Sequence, residues 1–188
     1  MIYRAGTYAQ RNSGGVTTVI PGSVSYPWDN ETEMTGTLGG ILPTTNSFLG
    51  WGNRYADTSV VVVPANTPFT MTFKYDYIPT ETDGWCFFGL SNIPTHYVTI
   101  GHAFYVENGG GYPNRLYVYE GGTKKKDGFN NSYVFGSVMT IERNVDGTWD
   151  YYQGGTLFYH STTIDQSSMK LDIASLQNLG VKDVEITY

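Results

Sequence analysis

The sequence predicts an all-β protein, a two-sheet antiparallel sandwich, and three observations carry that expectation. Residues 69–78 alternate strictly: Phe69, Met71, Phe73, Tyr75 and Tyr77 share one side, Thr70, Thr72, Lys74 and Asp76 the other. A period of two buries one face of a strand and cannot bury one face of a helix. Short apolar runs then recur between turn residues at steady intervals, as in sandwiches and barrels. Composition agrees, because 16 Tyr, 9 Phe and 4 Trp suit pleated sheets and 23 Gly supply tight turns.

Taken in order, residues 1–35 are polar and broken by Gly14-Gly15, Pro21-Gly22 and Pro27, with Val16 to Ile20 as their one apolar run. They read as an irregular N-terminal arm, and residues 36–188 as the sandwich. After the strand 69–78, a turn at Thr82-Asp83-Gly84 leads into an apolar strand at 85–90. Strands at 96–106 and 115–120 flank a glycine-rich loop, Asn108 to Gly111, and a polar loop covers 121–132. Residues 134–161 read as a three-stranded meander. Its turns, Asn144-Val145-Asp146-Gly147 and Gln153-Gly154-Gly155, supply the positive φ that tight hairpins need. Ala174 to Leu179 reads as one helical turn stopped by Gly180. Val184, Ile186 and Tyr188 then share a face of the last strand. Phe73, Tyr75, Phe87, Ile141, Trp149 and Ile186 are the expected core.

Several function classes are excluded or disfavoured. A chain of 188 residues supports one core. A net charge of -6 argues against nucleic acid, whose phosphates demand a basic surface. The run Lys124-Lys125-Lys126 reads as a solvated loop. Cys86, the single cysteine, sits in the apolar run Trp85-Cys86-Phe87-Phe88 and reads as a buried free thiol. No apolar stretch approaches the roughly 18 residues of a membrane span. The N-terminus lacks the apolar core of a secretion signal, so the expectation is a chain made without its own export signal.

The order "GWCFFGLS", "RLYVYEGG", "YVFGSVMTIERNVDGTWDYYQGGTLFYHS" and "LGVKDVEITY", with "FLGWGNRYADTSV" upstream, resembles the concanavalin A-like lectin/glucanase superfamily. The form it resembles is the laminin-G-like jelly roll of phage fibres and bacterial surface proteins. The likeness covers roughly residues 36–188 and is sharpest over 134–161. It implies a jelly roll, and a protein that binds glycans or proteins or cleaves polysaccharides.

The superfamily's glucanases place Glu-x-Asp-x-Glu along one strand, which sets three carboxylates on one face. Here the nearest approach is Asp183-Val184-Glu185, preceded at 181 by Val, and it reads as an ordinary solvent face. His96, His102 and His160 sit singly, without metal-ligand spacing. No cofactor is called for, although Asp29-Asn30-Glu31, Asp83 and Asp146 can supply oxygen ligands to calcium. Alternating strands gather the loops 79–84, 107–114 and 144–147 at one end, bringing together Asp83, Trp85, Tyr112 and Asn114. Aromatic faces and acid or amide groups suit a glycan. The loops 92–95, 121–132 and 153–155 would form the other end, with Asn92, His96, Lys124 to Lys126, Asn130 and Asn131, a set suited to an acidic glycan.

The expected function is a non-catalytic glycan- or receptor-binding module on a virion or extracellular surface. The expected partners are a cell-surface or polysaccharide glycan and further copies of the chain or other virion proteins, without membrane insertion. A structural virion decoration or fibre protein is one alternative, and a polysaccharide-degrading enzyme the other.

Overall fold

The computed structural model describes residues 28–32, 34–37, 40–43, 55–58, 60–77, 84–94, 100–109, 112–129, 132–177 and 179–188. Among them there is no helix, so none that could cross a membrane. The described residues form two seven-stranded antiparallel sheets.

The front sheet runs in the order β1 (Trp28–Thr32), β4 (Tyr55–Thr58), β13 (Lys170–Gln177), β6 (Gly84–Ser91), β7 (His102–Gly109), β8 (Tyr112–Glu120) and β9 (Thr123–Asp127). The back sheet runs β12 (Thr156–Ser161), β11 (Trp149–Gln153), β10 (Met139–Arg143), β5 (Phe69–Tyr77), β14 (Leu179–Thr187), β3 (Gly40–Pro43) and β2 (Met34–Thr37). Two strands thus begin inside the stretch read as an arm. Trp28 is buried there, and its indole N–H donates to the Gly40 carbonyl at 3.1 Å. The expectations for residues 1–27, including the run at Val16, lie outside the described residues.

One apolar layer fills the space between the sheets. Met71, Phe73 and Tyr75 of β5, Ile141 of β10, Trp149 and Tyr151 of β11 and Ile186 of β14 meet Phe88, Phe104, Leu116 and Ile173 of the front sheet. Phe73 packs edge-on against Phe88 with ring centres 4.6 Å apart. Along β14 a bulge at Asp183, with φ 53°, lets both Val181 and Val184 reach the core although three positions separate them. Asp183 itself is exposed and pairs with Lys74 at 3.0 Å, as a solvent face requires.

Two expectations fail. Ala174 to Leu179 is not a helical turn: residues up to 177 belong to β13, paired along its whole length with β6. Phe87 is buried as expected, in a second, smaller core cluster on the far side of the front sheet. Thr123–Asp127 is a strand, not a loop, and that extra traversal reverses the end assignments that follow it. The turn at 153–155 therefore joins the 107–114 end, where Gln153 exchanges hydrogen bonds with Ser132 and Val134. The turn at 144–147 goes to the opposite end, where the Asp165 N–H donates to the Gly147 carbonyl.

Candidate functional site on the outer face of the front sheet

The strands of the front sheet carry two faces of different character. Cys86, Phe88, Val106, Phe104, Leu116 and Val118 point into the core, so their neighbours in sequence point outward. Register then fixes rows across the outer face. One row runs Tyr55, Ala174, Phe87, Tyr105, Tyr117, Asp127. The row above it runs Asp57, Asp172, Gly89, Ala103, Tyr119, Lys124, and the row below runs Leu176, Trp85, Glu107, Arg115.

The middle row forms a ladder of rings. Phe87 and Tyr105 stack at 4.2 Å and 16°, Tyr105 and Tyr117 at 5.2 Å and 29°. Rings that lie nearly parallel along the row cover one another's faces. Tyr119 meets Phe87 and Tyr105 edge-on, at 80° and 90°. The Tyr117 hydroxyl donates to Glu107 Oε2 at 2.6 Å and accepts from Arg115 Nη1 at 3.3 Å. Burial, then the bond to Glu107, pushes the Tyr117 hydroxyl up to about 12, and burial pushes Tyr105 well above the usual tyrosine range. Both therefore stay protonated donors at neutral pH. Tyr105, Glu107, Arg115, Tyr119 and Trp85 are all half-buried, within reach of a ligand.

The upper row is closed in. An added Cβ on Gly89 would lie 1.9 Å from the His102 carbonyl oxygen, so this floor position admits no side chain. Ile100, from the connection after β6, packs on Phe87, Ala103 and Ala174. Asp172, directly opposite Asp57, is 2% exposed and accepts a 2.7 Å hydrogen bond from Ser91. Its burial, together with the nearby Asp57 charge, pushes its carboxyl up to about 7.

The expected site residues are divided. Trp85 stands on the outer face between Leu176 and Glu107. Asn114 adjoins Arg115, but holds the hairpin: in left-handed backbone (φ 51°) its N–H donates to Asn108 Oδ1, and its carbonyl accepts from the Tyr133 N–H. Tyr112 pairs by backbone with Gly109. Its side chain lies outside the described residues, as do Asp83, His96, Asn130 and Asn131. Asp146 accepts hydrogen bonds from Thr148 and serves its turn. Lys124 to Lys126 lie on the edge strand β9, with Lys124 paired to Asp127 and Lys126 over the Phe158 ring. Cys86 is a buried thiol raised by burial. Sequence reasoning passed over Tyr105, Glu107, Arg115, Tyr117 and Tyr119. The signal was present in "RLYVYE", where Arg115, Tyr117 and Tyr119 share a side once Leu116 and Val118 are assigned to the core.

At the opposite end a polar cluster locks the sandwich. His102 stacks on Trp149 at 3.7 Å and 6°, with Asp165 3.3 Å from Nε2 and the Tyr151 hydroxyl 3.0 Å from Nδ1. Tyr151 and Ser161 donate to Glu120. Arg143 spreads its guanidinium over Phe69 and Trp149 and donates to the carbonyls of Pro64, Thr67 and Ser167. These groups face each other and the backbone, so they hold loops rather than present chemistry.

No protein-family model matches the chain, and no curated protein sequence matches it. Its fold is shared with solved carbohydrate-binding domains. The carbohydrate recognition domain of Emp47p is 15% identical with a TM-score of 0.57, over 87% of this chain and 89% of that domain. The potassium-bound carbohydrate recognition domain of Emp46p is 11% identical at 0.55, over 85% and 88%. The carbohydrate-binding module CBM66 from Bacillus subtilis is 10% identical at 0.54, over 85% and 94%. The chain thus has the concanavalin A-like jelly-roll fold, as the sequence patterns implied.

Proposed function

We propose that the protein is a non-catalytic glycan-binding module whose ligand lies on the outer face of the front sheet. The observation that carries this reading is the half-buried group Trp85, Tyr105, Glu107, Arg115 and Tyr119 around the buried Tyr117, where rings, hydroxyls, a carboxylate and a guanidinium converge. Such a surface offers hydrogen-bond partners for sugar hydroxyls and apolar area for sugar C–H faces. The fold shared with carbohydrate recognition domains supports it by analogy. Display on a cell or virion surface belongs to the same proposal, since a shallow site of this kind gains useful strength from several copies.

The test is calorimetric titration against neutral and acidic polysaccharides, with ligands first ranked on a glycan array. Binding should weaken about tenfold or more in Trp85→Ala and in Glu107→Gln, roughly 1.4 kcal/mol or above. Binding by the wild-type chain that neither substitution alters would overturn the assignment to this face.

A polysaccharide-degrading enzyme is the second reading, and the cross-strand pair Asp57 and Asp172 favours it. A carboxyl raised to about 7 directly opposite a second carboxyl suits a general acid and its partner. The deep burial of Asp172 under its Ser91 bond speaks against access to a glycosidic oxygen. Release of reducing ends by the wild type, lost in Asp172→Asn, would establish the enzyme instead.

A further inference from the structure

The front sheet carries basic groups at one side. Arg115, Lys124, Lys125 and Lys126 gather on the neighbouring strands β8 and β9, in a chain whose net charge is -6. The other basic residues among those described are dispersed. Lys74 and Lys182 pair with Asp183 and Asp76 on the back sheet, Arg143 holds loop carbonyls, and Lys170 stands across from Ser91 at the start of β13.

Lysines on an edge strand bar another strand from adding to it. That accounts for Lys125, beside the irregularity in the β8–β9 pairing, and for Lys126, which turns toward Phe158 of the back sheet. It does not account for Lys124 and Arg115, which converge on one ring of the outer face. Lys124 Nζ lies 5.3 Å from the centre of the Tyr117 ring, and Arg115 Nη1 donates to the Tyr117 hydroxyl at 3.3 Å. Lys124 also pairs with Asp127 at 3.1 Å. Both partners of that pair are substantially exposed, so it contributes little, and a ligand anion can take the place of Asp127 at small cost.

Register orders the row below by chemistry. Trp85 of β6, Glu107 of β7 and Arg115 of β8 stand side by side, all half-buried. They offer in turn an apolar face, an acceptor for hydroxyls and a cation. Two strand spacings of about 4.8 Å set the first and last roughly 10 Å apart, the reach of a disaccharide. A neutral sugar uses the first two and gains little from the charge of the third. Glu107 repels an acid group, which directs a ligand's charge to Arg115 and Lys124 and its hydroxyls to Glu107.

We propose that the glycan held at this face is acidic, with sugars that bear both free hydroxyls and a carboxylate. It lies across the strands, one sugar on Trp85 and a carboxylate at Arg115 and Lys124. The guanidinium fork matches a carboxylate with two parallel hydrogen bonds. The inference rests on the glycan-binding reading and specifies its ligand.

The test is titration calorimetry of the wild type with polygalacturonate, its fully methyl-esterified form, polysialic acid, dextran sulfate and a neutral β-glucan. At least one of the two carboxylate polymers should bind about tenfold or more tightly than the ester and the β-glucan, and which one does so separates a uronate ligand from a sialate one. That binding should weaken as salt rises from about 0.05 to about 0.5 M, which screens exposed pairs. Arg115→Gln and Lys124→Gln should each weaken it about three- to tenfold, while Lys126→Gln on the other side of β9 leaves it unchanged. Equal binding of the ester or the β-glucan, lost in Trp85→Ala, would overturn the acidic ligand and keep the glycan-binding reading. Equal binding of dextran sulfate, or an equal loss in Lys126→Gln, would reduce the site to unspecific attraction of polyanions and overturn the proposal too. A wild type that binds neither carboxylate polymer would also overturn it, and the glycan-binding reading would still be decided by its own test at Trp85 and Glu107. The comparisons among polymers use the wild type alone, so they stand even if a variant fails to fold.

Discussion

The two faces of the front sheet are built from the same strands and differ in what completes them. The inner face, Phe88, Phe104, Leu116 and Ile173, is covered by the back sheet and is apolar except at one end, where His102 and Glu120 meet Trp149, Tyr151 and Ser161. The outer face bears an equally aromatic row, Phe87, Tyr105, Tyr117, with Tyr119 above it, and among the described residues Ile100 and the rings themselves pack over it. Its Glu107 and Arg115 are half-buried, and both bond the Tyr117 hydroxyl. Aromatic content beyond one core's need is therefore placed on the second face.

Adjacent residues offer the sharpest way to break this comparison. Phe88→Ala empties a site between the sheets against Phe73 and should cost about 3–5 kcal/mol in denaturant unfolding. Phe87→Ala, one residue away, opens the outer ladder and should cost about 1–2 kcal/mol, because the surrounding rings can resettle and water can enter. Equal losses would mean that the outer face is a closed core, not a binding surface.

The next effect is expected at the locked end, where Arg143 is 2% exposed and three carbonyl-bearing residues depend on it. Arg143→Gln leaves those acceptors short of donors and should cost about 2–4 kcal/mol. Ligand binding at the other end should be unchanged. A simultaneous loss of binding would show that the ends are coupled.

Much of this architecture is legible in the sequence, and the reasons for the rest are physical. Strand β5 announces itself because one parity is apolar and the other polar. Residues 85–88 are apolar on both parities, so the text cannot say which side faces the space between the sheets, and Phe87 is buried on the outer one. Strand β9 carries no apolar residue at all: an edge strand held by backbone bonds has no hydrophobic period to read. Missing it inverts the parity of every later loop, which is why 144–147 was expected beside Asp83. Ala174 and Ser175 suit a helical turn by themselves, and pairing with β6 overrides that preference. Of the site, Trp85 is legible as an aromatic near a turn. The Tyr105–Tyr117 ladder and the Glu107–Tyr117–Arg115 bonds arise from register between strands, and a single sequence does not display register.

Acid should discriminate the two ends by pH. The hydrogen bond from His102 holds Asp165 far below its ordinary 3.8, against the cost of burial and with help from Ser167. Burial alone would raise Glu120, yet the His102 ring 3.7 Å away and hydrogen bonds from Ser161 and Tyr151 outweigh it and hold the carboxyl below 4.5. A depressed carboxyl gives stability that is fully present above its unfolded value and lost as pH falls through its folded one. The melting temperature should therefore drop as pH falls below about 4.5. Asp165→Asn should be less stable at pH 7 and show a shallower acid decline. An unchanged decline in that variant would place the acid-sensitive groups elsewhere.

The smallest effect belongs to the outer face and has the opposite sign. Asp172 is raised from 3.8 to about 7 by burial and by the Asp57 charge, so the folded state holds its proton more tightly than the unfolded chain. A raised carboxyl contributes stability that is fully present below the unfolded value and lost as pH rises through the folded one, leaving a penalty above pH 7. Asn keeps an oxygen to accept the Ser91 hydrogen bond and adds N–H groups beside the Asp57 carboxylate, without a charge to desolvate. Asp172→Asn should thus raise stability at pH 8 and leave it nearly unchanged at pH 3.5. If the carboxyl is retained for the binding face, the same substitution should weaken glycan affinity while it stabilises the fold. A variant stabilised and fully competent to bind would make the aspartate pair a remnant of packing and confine the site to Trp85, Glu107 and the tyrosine row.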